Sequence, residues 1–286
     1  MSDLSSGKDH KDENFPVASI LIARRHRPVV MAFYRVARMA DDIADHPKTS
    51  ADEKLARLAA IERTLSGHDD AVTTAVALRM LMDGLAISPR HILDLLEAFR
   101  RDAVKNRYAD WADLMDYCRY SAAPVGRFVL EVHGESPSTW LASDALCAAL
   151  QVVNHLQDCG DDYCDLDRVY VPLDALAAAG LGVSALGADR ATPALRGVIA
   201  GLAAKTLDLL ETARPLASQV RDGRLSLEVG VIHALAASLA ARLTRRDPLS
   251  QNVHHRPHEA LGGALTGAIG AVWARAGARQ THKAAP

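Results

Sequence analysis

The amino-acid sequence predicts an all-α protein built as a single helical domain. Apolar residues recur at the three-to-four spacing of amphipathic helices through most of the 286 residues, and aromatic residues make up only 5%. No segment of useful length alternates apolar and polar residues as a half-buried strand does. No linker rich in proline, glycine or serine divides the chain, and its 49% hydrophobic content is ample for a large core.

The same periodicity places the helices, and proline or glycine residues separate them. Pro47, Gly67, Pro89, Gly134 and Pro248 each lie at a predicted break, because both residue types end helices. The predicted helices span residues 16–26, 28–45, 51–66, 70–85, 89–105, 110–133, 138–163, 192–220, 225–246 and 256–276. Residues 165–191 form the longest irregular stretch, and long loops in compact domains are often functional.

The ends of the chain are expected to lie outside the domain. Residues 1–13 are polar and charged and lack the apolar core of a secretory signal, so we expect a disordered lead-in and a cytoplasmic protein. The domain is expected over 14–277, with a C-terminal tail at 278–286. In a cytoplasm the four cysteines are expected to be reduced thiols.

The charge pattern and one apolar segment limit the partners. The net charge is -2 and both signs are interleaved, so we expect no nucleic-acid partner. The uncharged run at 260–274 is shorter than the ~20 residues that span a bilayer. Gly263 and Gly267 in this run favour either close helix packing in the core or docking on a membrane surface or another subunit.

Two predicted helices each carry an acidic face. Tyr34, Arg38, Asp41 and Asp45 fall within an arc of about 60° on one helix. The segment around them, MAFYRVARMA, is mostly apolar, so this face is unlike an ordinary solvated one. Phe33 lies one residue before Tyr34. Arg38 has two interpretations: a structural ion pair with its acidic neighbours, or a ligand for phosphate oxygens.

The second acidic face follows the apolar segment LCAALQVV. Gln151, Asn154, Asp158 and Asp162 fall within about 80° if the helix is continuous. Carboxylates that enter an apolar interior need cations to offset their desolvation. If the two faces look at each other across a cavity, they can hold Mg²⁺, which binds carboxylate and phosphate oxygens. This arrangement indicates an enzyme that acts on a diphosphate.

Two further segments contain candidate site residues. Pro124 interrupts a helical pattern next to Tyr117 and Tyr120, and a bend there would open a pocket lined by tyrosine rings. Those rings suit a carbocation or a proton transfer, although they also suit a core. Arg168 and Tyr170, in the loop after the second acidic helix, are donors for a leaving group or anchors of that loop.

The chain resembles the squalene/phytoene synthase family over about residues 14–250. The resemblance is carried by three segments in combination: the first acidic motif, YCRYSAAPVG at 117–126, and QVVNHLQDCGDD at 151–162 followed by RVYVP. The resemblance implies an isoprenoid-synthase-type helical bundle around a central cavity. It also implies Mg²⁺ ligation by the four aspartates of the two faces. By the same resemblance, Gln151 and Asn154 help to hold the metal and diphosphate, Arg38, Arg168 and Tyr170 surround the diphosphate, and Tyr117 is an active-site tyrosine.

Within the family, the segments at 13–19, 33–47 and 117–127 are most similar to the hydroxysqualene synthases of bacterial hopanoid biosynthesis. This implies conversion of presqualene diphosphate and water to hydroxysqualene and diphosphate. It further implies peripheral contact with the inner face of the membrane and contact with other hopanoid-pathway enzymes. Two positions depart from the pattern: Ala123 stands where we expect asparagine, and Leu166-Asp167 replaces a basic residue followed by glycine.

Two alternatives stay open. Head-to-head condensation of prenyl diphosphates, giving presqualene diphosphate, squalene or phytoene, uses the same scaffold. The second alternative is a non-catalytic helical assembly factor with this fold. Such a protein is not expected to retain both acidic pairs. The sequence has no Gly-x-Gly-x-x-Gly turn after a strand, so it gives no evident site for a nicotinamide cofactor and does not favour a reductive ending.

Overall fold

The computed structural model describes residues 22–255 and 266–272, and the regular structure in these ranges is helical. The all-α prediction is confirmed, since no strand occurs in them; an isolated bridge pairs Arg107 with Val169. The described residues form two compact units: 22–105 with 119–136, and 106–118 with 137–255 and 266–272. That a single domain covers residues 14–277 stays a prediction.

The first unit is a packed group of helices. It contains α1 (Arg27–Asp45), α2 (Ala51–Leu65), α3 (Thr73–Gly84) and α4 (Arg90–Asp102), then the last residues of α5 (Trp111–Ser121), then α6 (Ala123–Val132). Helix α1 packs against α3 and α4, and α4 packs against α2 and α6. Val36, Leu58, Leu78 and Leu96 are fully buried at these contacts and supply much of the hydrophobic stabilisation.

The second unit is organised around α10. Its helices are the first part of α5, α7 (Trp140–Gln157), α8 (Cys159–Leu166), α9 (Leu173–Ala178), α10 (Pro193–Ala213), α11 (Leu216–Gln219), α12 (Gly223–Leu243) and a segment at 266–272. Helix α10 packs against α7 and α12. Ala149, Val153, Ile199, Ala203 and Ala236 are fully buried. Small side chains at such positions let helices approach closely.

Residues with N-capping side chains precede several helices. Ser50 Oγ accepts from the Glu53 amide at 3.3 Å before α2, and Thr192 Oγ1 accepts from the Leu195 amide at 3.2 Å before α10. Asp222 caps α12 in the same way. These side chains satisfy amide groups that have no partner inside the helix.

Some predicted boundaries were wrong. Residues 22–26 form a turn instead of the end of a helix at 16–26, and 16–21 lie outside the described residues. The helices predicted at 110–133 and 138–163 are each divided in two, at Ala122 and Asp158. Pro124 lies in the first turn of α6, where its missing amide hydrogen has no cost, so it starts a helix instead of bending one. The helix predicted at 192–220 is divided between α10 and α11, and the irregular stretch at 165–191 contains α9.

Gly267 takes part in close helix packing, as one of its two interpretations predicted. It lies against Gly230 of α12, and a Cβ atom on either glycine would overlap the backbone of the other. Gly263 lies outside the described residues. Among the described helices, α12 is the one that is long and apolar enough to cross a membrane, by length and composition alone. Half of its most apolar 18-residue stretch is buried inside the protein.

Candidate functional site

Helix α1 presents its acidic residues beside Arg38, all within the first unit. Arg38 Nη1 donates to Asp41 Oδ2 at 2.7 Å, and Nη2 lies 3.0 Å from Asp42 Oδ1. The exposed fractions of the Arg38 and Asp42 side chains are 22% and 13%, so the contact between these two is partly shielded from bulk water. The structure therefore shows the ion pair that the sequence left as one interpretation of Arg38.

Several carboxylates as well as Arg38 act on Asp41 of α1. Burial among packed neighbours, and next the charge of Asp45, raise the pKa of Asp41 from 3.8 to about 7, although Arg38 lowers it and 35% of the side chain is accessible. Asp102 at the end of α4, 7% exposed, raises it further. A divalent cation would relieve this repulsion, so the donor set fits a hard metal ion. Sequence reasoning missed Asp102, because it comes from a helix with no acidic stripe.

Phe33 and Tyr34 differ in their surroundings. Phe33 is 4% exposed and stacks on Phe128 with ring centroids 4.1 Å apart, so it packs in the core of the first unit. Tyr34 is partly buried. The predicted contact of Phe33 with substrate stays a prediction, and we leave it out of the proposed site.

Tyr120 contacts guanidinium groups in the first unit. The Arg101 guanidinium lies 4.2 Å from its ring centroid and that of Arg119 lies 5.7 Å away. These guanidinium groups interact with the negative face of the Tyr120 ring, the same face that would have to stabilise a substrate carbocation. A catalytic role of Tyr120 stays a prediction, and we do not include it in the proposed mechanism.

The second acidic face lies where α7 passes into α8. The Asp158 amide donates to the Asn154 carbonyl at 2.9 Å, and the Asp162 amide donates to the Asp158 carbonyl at 2.8 Å. Helical spacing is thereby kept across the break at Asp158, so the side chains of Asp158 and Asp162 lie one turn apart. The predicted one-turn spacing of Asp158 and Asp162 is therefore kept although the helix is not continuous.

His155 lies beside this face and was not among the predicted site residues. Its Nε2 is 3.1 Å from Gln151 Nε2, and its Nδ1 is 4.0 Å from Asp162 Oδ2. Burial, with a smaller effect of the positive Arg168, lowers the pKa of His155 to about 3. The imidazole is therefore neutral near pH 7. The i, i+4 spacing from Gln151 is visible in the sequence, but the approach to Asp162 depends on the bend at Asp158.

An aromatic cluster surrounds the imidazole. The Tyr170 ring stacks on His155 with centroids 3.4 Å apart, and the Tyr117 and Tyr170 hydroxyls are 3.4 Å apart. Tyr108 stacks on Tyr170 at 5.4 Å between centroids. All three tyrosines are at most 6% exposed. The structure thus brings the predicted Tyr117 and Tyr170 together, and it adds Tyr108, which no sequence pattern singled out.

The loop that carries Arg168 and Tyr170 is held by the segment before α5. The Val169 amide donates to the Asn106 carbonyl at 2.9 Å. Arg107 binds both the carboxylate and the carbonyl of Asp167, whose φ of 49° is left-handed. Glycine favours this conformation, and aspartate tolerates it better than most residues. Asp167, which stands where the family pattern has glycine, therefore still adopts the left-handed turn, and it also forms an ion pair with Arg107. Arg168 is 7% exposed.

Metal binding at these faces would need groups from outside the protein. Within 22–255 and 266–272, no three or more His, Cys, Asp or Glu side chains converge as a closed metal site. Mg²⁺ commonly uses one or two carboxylates and completes its coordination with water and substrate phosphates. The open carboxylate pairs fit that mode better than the closed sites of structural zinc.

Comparison with known proteins decides the family. Residues 8–259 match the family model described as squalene/phytoene synthase. The chain belongs to the squalene/phytoene synthase family. It is 54% identical over 258 residues to a hydroxysqualene synthase of Rhodopseudomonas palustris, covering 90% of this chain and 88% of the relative.

Two further relatives agree. A hydroxysqualene synthase of Sinorhizobium fredii is 52% identical over 252 residues, covering 88% of this chain and 86% of the relative. The crystal structure of squalene synthase HpnC from Alicyclobacillus acidocaldarius superposes with a TM-score of 0.71 at 34% identity, covering 80% of this chain and 87% of that one. The chain is therefore an enzyme of this family, and its helical fold is that of the family's solved structures.

Proposed function

We propose that the chain converts presqualene diphosphate and water to hydroxysqualene and diphosphate, in a Mg²⁺-dependent reaction. The observation that carries the proposal is the identity of 54% and 52% to hydroxysqualene synthases over nearly the whole chain. The carboxylates and tyrosines described above support it, because they provide the groups that diphosphate departure and a carbocation require.

The four aspartates are the proposed metal ligands: Asp41 and Asp45 of α1, Asp158 between α7 and α8, and Asp162 of α8. Bound Mg²⁺ supplies positive charge that stabilises diphosphate as a leaving group. Arg38 Nη1 donates to one oxygen of Asp41. A cation held by Asp41 would leave N–H donors of Arg38 available for diphosphate oxygens.

Further proposed substrate contacts lie on other residues of the chain. Gln151 and Asn154 are the proposed polar contacts of the metal and diphosphate beside the second acidic face. Arg168 and Tyr170 are the proposed donors to the diphosphate, and Tyr34 of α1 is a further proposed contact. Their burial or partial burial strengthens charge interactions relative to those in water.

In the reaction, the carbon–oxygen bond of the cyclopropylcarbinyl ester breaks and diphosphate leaves with the electron pair. The resulting carbocation rearranges, a water oxygen bonds to it, and one proton is released. Tyr117, with Tyr108 packed next to it, has an aromatic ring whose face would stabilise positive charge. The buried aromatic cluster also limits premature attack by water.

The test is incubation of the purified protein with Mg²⁺ and either presqualene diphosphate or farnesyl diphosphate, followed by mass spectrometry of the products. We expect hydroxysqualene from presqualene diphosphate and no product from farnesyl diphosphate alone. Product from farnesyl diphosphate alone would favour head-to-head condensation. No diphosphate release from any prenyl substrate, with or without Mg²⁺, would favour the non-catalytic alternative. A cytoplasmic location, peripheral membrane contact and contact with other hopanoid-pathway enzymes stay predictions.

A further inference from the structure

His155 lies between an amide of its own helix and a carboxylate of the second acidic face. Gln151 Nε2 is 3.1 Å from its Nε2, and Asp162 Oδ2 is 4.0 Å from its Nδ1. The stacked Tyr170 ring, inclined by 14°, restricts rotation of the imidazole plane. The two ring nitrogens therefore have different and fixed neighbours.

These neighbours select one tautomer. The amide nitrogen of Gln151 can only donate, so His155 Nε2 accepts and the proton is on Nδ1. With the amide turned round, the proton would be on Nε2, and the Nδ1 lone pair would face the Asp162 carboxylate. That arrangement places two acceptors against each other. Both contacts therefore favour the tautomer that directs an N–H toward Asp162.

We propose that His155 is a positioning residue whose Nδ1–H orients the Asp162 carboxylate for metal binding, with Gln151 setting the tautomer. The inference rests on the proposed function in one respect, the role of Asp162 as a metal ligand. A distance of 4.0 Å is too long for a direct hydrogen bond, and a carboxylate shift of about 1 Å closes it. Residues that hydrogen-bond to a metal ligand without touching the metal often matter for affinity: mutating them typically weakens metal binding about 10- to 100-fold.

Two substitutions separate the N–H group from the ring. His155→Asn keeps a donor near the position of Nδ1, whereas His155→Phe keeps a flat ring against Tyr170 and has no donor. His91→Phe is the matched control, because His91 is also buried, at 2% exposure, and lies 3.0 Å from the Glu131 carboxylate, yet has no assigned role. Circular dichroism and thermal melting show which variants fold.

The readout is binding of Mn²⁺ in the presence of inorganic diphosphate, followed by electron paramagnetic resonance. We expect His155→Phe to bind Mn²⁺ about 10-fold more weakly than wild type. His155→Asn and His91→Phe are expected to stay close to wild type. Equal Mn²⁺ affinity in folded His155→Phe and wild type, or an equal loss in His155→Asn, would overturn the proposal. If His155→Phe does not fold, His155→Gln replaces it, because its longer amide reaches the position of Nε2.

The tautomer has its own spectroscopic test. In protein labelled with ¹⁵N-histidine, long-range ¹H–¹⁵N spectra should show His155 protonated at Nδ1, with His155→Asn providing the assignment. Gln151→Glu replaces the donor by an acceptor, so Nε2 should then carry a proton. A wild-type His155 protonated at Nε2 would contradict the proposal.

Asp162→Asn separates a failure of this inference from a failure of the proposed function. If Asp162→Asn weakens Mn²⁺ binding and His155→Phe does not, only the positioning role of His155 fails. If Asp162→Asn binds Mn²⁺ and diphosphate as wild type does, the proposed metal assignment itself fails.

Discussion

Metal binding at Asp41 is expected to release a proton, in an amount set by pH. Burial and the charge of Asp45 raise the pKa of Asp41 to about 7, so about half of the metal-free protein carries a proton there at pH 7. A bound cation favours the ionised carboxylate. Release should therefore be about 0.9 proton at pH 6, about 0.5 at pH 7 and about 0.1 at pH 8 for each protein that binds metal.

Isothermal titration with Mg²⁺ in buffers of different ionisation enthalpy measures this release directly. Asp41→Asn should remove the pH-dependent part. Asp45→Asn removes the neighbouring negative charge, so the pKa of Asp41 should fall and the release at pH 7 should shrink. Release that is absent at pH 6 and 7, or unchanged in Asp41→Asn, would refute the reasoning.

The same pKa shift predicts a direction for stability. Because the folded-state pKa of Asp41 lies above the unfolded value of 3.8, the stabilising contribution of the neutral carboxyl is fully present below that value. It is lost as pH rises through about 7. Mg²⁺ should accordingly raise the melting temperature of the wild type more at pH 8 than at pH 6.

Three further predictions concern single residues. Asp41→Asn or Asp158→Asn should lower Mg²⁺-dependent diphosphate release at least about 100-fold with the helical circular dichroism unchanged, and full activity in both variants would contradict the metal assignment. Asp247 accepts from Ser250 Oγ at 2.6 Å and two backbone amides, so Asp247→Asn should cost about 2 kcal/mol in urea unfolding at pH 7. Burial alone would raise the pKa of Asp247, but these hydrogen bonds lower it, so the difference should shrink as pH falls below 3.8; a constant difference would contradict this. Asp167→Gly should melt about 2 °C above Asp167→Ala, because both lose the Arg107 ion pair and only glycine suits the left-handed backbone; the reverse order would contradict it.

The acidic faces could be predicted because they depend on local spacing alone. Asp41 and Asp45 lie one turn apart in any helix, and the hydrogen bond from the Asp162 amide to Asp158 keeps the same spacing across a break. The helix ends were less predictable. Pro124 is compatible with a kink inside one helix or with the first turn of a new one, and packing decides which occurs.

Contacts between distant segments could not be predicted. Asp102 acts on Asp41 from another helix, and Tyr108 stacks on Tyr170 across more than sixty positions of the sequence. The proposed role of His155 depends on its distance from Asp162, which lies in the next helix, α8. Such contacts follow from tertiary packing, and single-sequence periodicity contains no information about them.

The most direct test of the proposed chemistry is turnover of presqualene diphosphate in water enriched in ¹⁸O. We predict hydroxysqualene whose hydroxyl oxygen carries the ¹⁸O label, because solvent water captures the carbocation after diphosphate has left. The same incubation without Mg²⁺ should give no product. Unlabelled hydroxysqualene would place the oxygen in the diphosphate ester, and a hydrocarbon product without oxygen would show a different ending; either result would contradict the account.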